Sequence, residues 1–363
     1  MSRIMLVLGT SSGGVGRHVR MLAGGLAGMG HDVLVAGPAA TEEAFGFAAA
    51  GAVFAGVEIS DRPHPAADLR SAARLRALAR GAGAVHAHGL RAGALAALAL
   101  LAARRRPRLV VTLHNAATAG GAIGAVYRVL ERVVARRADH VLVVSPDLGA
   151  RLRAAGARTV SPAVVPAPAL ARPARTPEEV RAELRERLPG LTGDRPVLLT
   201  VARLAQQKGL ETLLDAAAGP YKGEPVFVIA GDGPLRPALQ ARIDAEKLPV
   251  ILYGWAATAE LLQVAAALLV PSRWEGQPLN VQEALRAGRP IIATRVGGIP
   301  GLVGDAALLV PPGDAGALSR EIGRVLGDPA LAERLATASA RRGAELPGER
   351  EALRSALEAY ESA

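Results

Sequence analysis

The sequence predicts an α/β protein built from two doubly wound, Rossmann-like domains facing each other across a cleft. Three observations lead there. Short apolar runs rich in Val, Leu and Ile alternate with helix-like stretches, the pattern of parallel sheets covered on both faces by helices. The pattern breaks once, in a proline-rich stretch, and then restarts. At 363 residues the chain exceeds one ordinary core but fits two domains of roughly 100–200 residues each.

The first domain reads as strands at Arg3–Gly9, Asp32–Gly37, Ala84–Ala87, Arg108–Leu113 and His140–Val144. Helices are expected between them at Gly16–Met29, Asp68–Arg80, Gly93–Arg105 and Ala122–Arg137. Ser161–Pro177 carries Pro162, Pro166, Pro168, Pro173 and Pro177, cannot sustain a helix or a central strand, and is the linker candidate. Strands then resume at Pro196–Val201, Val226–Gly231, Val250–Tyr253, Leu268–Pro271, Pro290–Thr294 and Ala306–Val310. After the Pro347-Gly348 break, a last helix at Glu349–Tyr360 is free in sequence terms to pack on either domain. The expected division is an N-terminal domain over 1–168, a linker with its following helix over 169–194, and a C-terminal domain over 195–348, with 349–363 packing back on the first. In open parallel sheets ligands bind beyond the carboxyl ends of the strands, so the cleft between two such domains is the expected site.

Composition narrows the chemistry. With no cysteine, disulfides, zinc-thiolate sites and thiol catalysis are excluded. The first strand is followed at once by Thr10, Ser11 and Ser12, unlike a signal peptide, and the longest helix-like apolar run, Ala92–Ala103, is about half of the roughly 20 residues that cross a bilayer. A cytoplasmic protein is expected, peripheral on the inner face of the cell membrane if it meets one. Charge is uneven: residues 1–170 hold 20 arginines and nine acidic residues, whereas the remainder holds 23 basic and 24 acidic residues. Such an asymmetry suits an anionic partner of the first half, or a solvated basic surface. Only 3% of residues are aromatic and no nucleic-acid motif occurs, which argues against nucleic acid.

The first strand runs into G-T-S-S-G-G-V-G, where Gly9, Gly13, Gly14 and Gly16 let backbone N–H groups approach a phosphate at a helix start. The spacing is neither G-x-G-x-x-G nor a P-loop, and a tight strand-helix turn needs the same glycines. In R-L-A-Q-Q-K-G, Arg203 and Lys208 lie between a strand and a helix, where a guanidinium and a mobile ammonium suit a diphosphate. In S-R-W-E-G-Q-P-L-N-V-Q-E-A-L, Glu275 and Glu283 are separated by seven residues. Pro278 is placed for the first turn of a helix, so N–H groups near Leu279 and Asn280 can cap a phosphate. Glu283 can then accept from a ribose diol and Glu275 from sugar hydroxyls. His86 and His88 in V-H-A-H-G resemble metal ligands in type but lack acidic or cysteine company, so a structural or acceptor-contacting role is preferred and no metal site is assigned.

These segments, with VVTLHN, ADHVLVVS, VARLAQQKGLETLL, VIAGDGPL, RAGRPIIATRVGGIPGLV and ALLVPPGD, together resemble glycosyltransferase family 4 over nearly the whole chain. The resemblance implies a GT-B fold and retaining transfer of a sugar from a nucleoside diphosphate donor such as a UDP- or GDP-sugar. It implies Glu275, His114, Arg203 and Lys208 as catalytic residues. Donor binding falls to Gly13, Gly14, Arg203, Lys208, Gly231, Gly276, Pro278, Leu279, Asn280 and Glu283, and acceptor binding to Gly14, His88 and His114. No D-x-D occurs, which suits an Arg/Lys clamp rather than a metal-bridged diphosphate, so no cofactor is expected. Where the family often has V-P-N-G-V-D, this chain has V-P-A-P-A-L at Val165–Leu170, which puts any polar contact from that loop in doubt.

The expected acceptor is a glycan, a lipid-linked or cell-envelope precursor, or a small molecule. An anionic membrane surface is a further expected partner through Arg128, Arg132 and Arg136, which recur every four residues on the helix Ala122–Arg137, opposite an apolar face of Val126, Val129, Leu130 and Val133. Arg104, Arg105, Arg106 and Arg108 form a second basic cluster. Two other classes share the architecture: a non-hydrolysing nucleotide-sugar epimerase, which would interconvert free donors, and a non-catalytic GT-B binding protein.

Overall fold

The computed structural model describes residues 2–11, 13–101, 106–116, 121–187 and 195–361, so Ser12, Arg104, Arg105 and residues 188–194 of the readings above lie outside the described residues. The chain forms two compact units: Met1–Pro166 together with Pro347–Ala363, and Ala167–Leu346.

The first unit is a seven-stranded parallel sheet of β1 (Arg3–Leu8), β2 (Asp32–Gly37), β3 (Val53–Gly56), β4 (Ala84–His88), β5 (Arg108–Leu113), β6 (His140–Val143) and β7 (Val160–Pro162), ordered β3-β2-β1-β4-β5-β6-β7. The central β1 is apolar from Ile4 to Leu8, and β4 is buried throughout although it carries His86 and His88, because both faces of the sheet are covered. Two strands go beyond the sequence reading. β3 is a four-residue, partly exposed edge strand, and β7 begins at Val160 and runs into the proline-rich stretch. Pro162 is tolerated there because an edge strand leaves one side of its backbone without ladder partners. The third helix starts earlier than expected, at Pro65, which opens Pro65–Leu78 from the first turn, where a missing N–H costs nothing.

The helix Gly121–Arg137 corrects the apolar-face assignment. Arg128, Arg132 and Arg136 are exposed as expected, but so are Val126 and Val129, at 41% and 55%. The buried face is instead Val134 and Ala135 with Glu131, which accepts a hydrogen bond from Arg151 Nη2 at 2.5 Å. Val134 packs on the helix Leu90–Leu100, its Cγ2 standing 3.2 Å from where a Cβ at Gly93 would lie, while Pro146–Ala154 supplies the partner of Glu131.

The helix Glu349–Glu361 belongs to this unit. Leu353 and Ala356 join the core formed with Val19, Leu22 and Leu26. Gly25 makes the approach possible, since a Cβ there would stand 2.4 Å from Leu353 Cδ1. Arg108 Nε donates to the Ala359 carbonyl at 2.7 Å, and the Tyr360 hydroxyl lies 2.8 Å from His86 Nδ1.

The second unit is a six-stranded parallel sheet of β8 (Val197–Val201), β9 (Val226–Ala230), β10 (Val250–Gly254), β11 (Ala265–Val270), β12 (Ile291–Thr294) and β13 (Ala307–Val310), ordered β10-β9-β8-β11-β12-β13. Its helices include Pro177–Arg187, Leu210–Ala217 and Leu279–Arg286. The proline-rich segment is held rather than solvated. Ala167 N donates to Gln282 Oε1 at 2.8 Å and Arg286 Nη1 donates to the Ala167 carbonyl at 2.6 Å. Further on, Arg175 binds Glu260 and Glu183, and Tyr253 Oη donates to Glu183 Oε2 at 2.6 Å. Each sheet has one place where successive connections turn to opposite sides, between β1 and β4 in the first and between β8 and β11 in the second, and ligands of doubly wound sheets bind beyond such points.

Candidate functional site

In the second unit the switch point gathers the residues singled out in the sequence. Beyond β8 the chain passes through Arg203, which is exposed, and a short 3-10 turn at Gln206–Lys208. Beyond β11 it reaches Ser272, Trp274 and Glu275. Lys208 Nζ meets Glu275 Oε1 at 2.6 Å, and Ser272 Oγ donates to the same oxygen at 2.7 Å. Glu275 is 8% exposed in its side chain and Lys208 25%, so the pair is largely withdrawn from water while one side of the ammonium stays reachable. Two amide contacts bind the loops together: Gln207 Nε2 donates to the Trp274 carbonyl at 2.9 Å, and Arg273 N donates to the Gln207 carbonyl at 2.8 Å.

Two glycines fix this arrangement sterically. Gly209 has φ +62° and a Cβ there would lie 2.2 Å from the Pro271 carbonyl oxygen. At Gly297, φ +52°, a Cβ would lie 1.9 Å from the Glu275 carbonyl oxygen, which also accepts from Gly298 N at 3.0 Å. The backbone of Glu275 is thus pressed into place from below. Gly231, just past β9, serves packing in the same way, its Cβ position being 2.0 Å from the Ala202 carbonyl next to Arg203.

Pro278 is the N-cap of the helix Leu279–Arg286 rather than its first helical residue, a shift of one position. The N–H groups of Leu279 and Asn280 open the first turn, where a helix provides no internal acceptor. Asn280 ties that end to the sheet, donating through Nδ2 to the Val201 carbonyl at 2.8 Å and accepting from Val281 N at 2.9 Å. Glu283 stands on the same helix and is half-buried, and Gly276 is buried in the loop before it. Cationic side chains, a buried carboxylate and a helix N-terminus therefore lie within one switch point, which is a place for a polyanion carrying hydroxyl groups.

In the first unit, Gly13 is the N-cap and Gly14 the first residue of the helix Gly14–Gly28. A Cβ at Gly13 would meet nothing within 4 Å among the described residues, so no packing there requires glycine. Gly16 differs, since a Cβ would stand 2.1 Å from Phe45 Cε2, and it also donates its N–H to Ser11 Oγ at 3.1 Å. His88 ends β4 and His114 follows β5, and their Nδ1 and Nε2 atoms are 3.2 Å apart. His18, from the facing helix, completes a cluster with ring centroids 5.6 Å from His88 and 5.5 Å from His114. His86 is structural, bound through Nε2 to Thr112 Oγ1 at 2.7 Å and through Nδ1 to Tyr360. Burial pushes the His114 imidazole down to about 4, and burial with the neighbouring His114 and His140 pushes His86 down to about 3. Burial likewise holds His18 and His88 well below the usual histidine range. All four rings are neutral at pH 7.

The sequence reading missed His18, Ser272 and Gln207. Ser272 and Gln207 lie inside the motifs that carry Glu275 and Lys208, and proximity in sequence is their signal. His18 had none, because only the fold brings it to the ends of β4 and β5.

Comparison with known proteins places these sites in a family. Residues 13–168 match the model described as "Glycosyl transferase 4-like domain" and residues 195–328 the one described as "Glycosyl transferases group 1". The alpha-D-kanosaminyltransferase of Streptomyces kanamyceticus is 38% identical over 168 residues, 44% of this chain and 43% of that protein. The GDP-mannose-dependent alpha-(1-6)-phosphatidylinositol monomannoside mannosyltransferase of Mycolicibacterium smegmatis is 30% identical over 266 residues, 68% of this chain and 69% of its own length. The chain spans less than half the length of the first curated relatives it matches. The crystal structure of Anabaena HepE in complex with UDP and glucose matches with a TM-score of 0.83 at 19% identity, covering 100% of both chains, which speaks for the GT-B fold. With both matched domains, the two switch-point sites and a relative aligned over two thirds of its length, this chain belongs to the glycosyltransferase 4 family of GT-B proteins.

Proposed function

We propose that this protein transfers a hexosyl group from a nucleoside diphosphate donor to an acceptor hydroxyl, with retention of configuration and without a metal. The Lys208–Glu275–Ser272 contact at the second switch point is the observation that carries the reading. When the anomeric C–O bond breaks, negative charge develops on the departing diphosphate, and stabilising it is the main electrostatic task. Arg203, Lys208 and the N–H groups at Leu279–Asn280 perform it. Glu283 accepts from the ribose diol. Glu275, released in part from Lys208 when phosphate arrives, holds sugar hydroxyls. The acceptor oxygen bonds to the anomeric carbon on the face the diphosphate leaves, and its proton passes to the leaving phosphate oxygen. Neutral His114 orients the transferring sugar, while His88 and the Gly13–Gly14 turn serve the acceptor side.

A lipid-linked acceptor is favoured by the surface of the first unit. No helix among the described residues is long and apolar enough to cross a membrane. Exposed Val126 and Val129 nevertheless stand beside Arg128 and Arg132, and the adjoining helix exposes Leu98 and Leu101. Arg106, Arg108, Arg136, Arg137 and Arg158 line a cavity of about 360 Å³ in the same unit. Mixed basic and apolar exposure suits an anionic bilayer, on which the protein would be peripheral. The M. smegmatis relative is named for a phosphatidylinositol mannoside.

The test is a panel of nucleotide sugars screened by thermal shift, followed by transfer assays with the stabilising donor. A ligand at a hundred times its dissociation constant adds roughly 2.7 kcal/mol of stability. A donor that stabilises and is consumed only with acceptor supports transfer. Interconversion of free donors without acceptor would instead identify an epimerase, and no stabilising nucleotide sugar would leave a binding protein.

A further inference from the structure

We propose that His18, His88 and His114 form a binding site for a divalent transition cation of the Zn²⁺ class, and that a cation held there withdraws His114 from the transfer reaction. The second half rests on the role given to His114 above, whereas the first rests on geometry alone. The three side chains come from different elements, the first helix, the end of β4 and the turn after β5. Each offers one ring nitrogen to a common space, and the three atoms lie within 4.8 Å of one another. His88 Nδ1 and His114 Nε2 are 3.2 Å apart. A tetrahedral ion with Zn–N bonds of about 2.0–2.1 Å separates two ligand nitrogens by about 3.4 Å, so this pair already spans one edge of the tetrahedron.

The cluster also has capacity its own hydrogen bonds do not use. His18 Nδ1 is buried with no hydrogen-bond partner among the described residues, and a buried polar atom left without one is rare enough to require an explanation. His86, though its ring centroid is only 4.1 Å from that of His88, is not a fourth ligand, because both its nitrogens are engaged by Thr112 and Tyr360. Three protein ligands with one open position is the arrangement of accessible rather than closed zinc sites. Three neutral imidazoles without a carboxylate select Zn²⁺, Co²⁺, Ni²⁺ or Cu²⁺ and discriminate against Mg²⁺ and Mn²⁺. Burial keeps the rings unprotonated, so protons compete weakly with the ion. In the metal-free protein one of His88 and His114 donates to the other; binding takes the tautomer that carries the proton on its far nitrogen.

The test uses the full chain stripped of metal. Titration with Co²⁺ should give one saturable site per chain with the visible absorption of tetrahedral Co²⁺, displaced by Zn²⁺ and unaffected by Mg²⁺. His18→Gln and His88→Gln should each weaken binding at least as much as the 10–100-fold typical of losing an outer-shell partner. A variant with His31→Gln and His64→Gln, both outside the cluster, should bind as the wild type does. Long-range ¹H–¹⁵N spectra of the wild type during Zn²⁺ titration should move the ring nitrogens of three histidines, a readout that needs no variant to fold. Absence of saturable binding, or binding undiminished in both cluster variants, overturns the site. Zn²⁺ should inhibit transfer by the wild type and not by His18→Gln. Saturable binding that leaves transfer undiminished supports the site and overturns the role of His114, so the two readings fail separately.

Discussion

Lys208 and Glu275 neutralise each other in the ligand-free protein, so a donor diphosphate has to compete with the carboxylate for the ammonium. Truncating one partner of a desolvated charge pair costs roughly 2–5 kcal/mol in binding, and Lys208→Ala is therefore expected to weaken donor affinity by about 30-fold or more. Arg203→Ala should weaken it as well while leaving the melting temperature unchanged, because that side chain is exposed. Glu275→Gln should lower kcat more than it changes donor affinity, and Glu283→Ala the reverse. Calorimetric titration with donor and initial-rate kinetics separate these outcomes, and equal affinity in Lys208→Ala and wild type would remove the clamp assignment. The buried histidines carry a pH prediction. Their folded-state values are depressed, to about 4 for His114, while the unfolded chain protonates near the ordinary 6.5. The unfolded state thus binds more protons between these values, and stability falls as pH drops through that window and is regained above it. Thermal melts from pH 7 to pH 4 should show the decline, and a flat profile would mean that these rings are hydrated.

The glycines separate two requirements at the level of loops and helices. Gly297→Ala forces a left-handed residue with a Cβ into the Glu275 carbonyl, so both the melting temperature and turnover are expected to fall, the backbone strain alone costing about 1–2 kcal/mol. Gly13→Ala meets no atom of the described residues within 4 Å and should melt like the wild type while losing activity. A fully active Gly13→Ala enzyme would show that nothing approaches that turn. The same contrast explains what could be read in advance. Central strands such as β1 and β8 were legible because both faces are buried and the apolar run is continuous. β3 was not, because the four residues Val53–Gly56 are too few to display a strand's periodicity. The E-x7-E spacing revealed Glu275 and Glu283, but the partner of Glu275 lies 67 residues away and depends on the order of β8 and β11. The burial of Glu131 and exposure of Val129 depended on a neighbouring helix and escaped periodicity altogether.

For the molecule as a whole, the basic surface of the first unit predicts salt-dependent attachment to anionic vesicles. At about 1 kcal/mol per basic residue near such a surface, replacing Arg128, Arg132 and Arg136 with Gln should lower partitioning on the order of a hundredfold. Co-sedimentation at low and high salt measures it, and a wild type that ignores anionic vesicles at low salt would make a soluble acceptor the better reading. The helix Glu349–Glu361 has a different consequence. Leu353 and Ala356 complete the core around Leu22 and Leu26, and Tyr360 holds His86, although some 180 residues of the second unit intervene in the chain. A chain emerging from the ribosome folds from its beginning, yet this first unit stays open along one side until residues 349–361 have been made. The second unit can therefore reach its native state while the first still exposes Leu22 and Leu26. A chain truncated after residue 346 and released from the ribosome should be protease-resistant in 195–346 and cleavable in 1–166, the reverse of the order in which the two were synthesised.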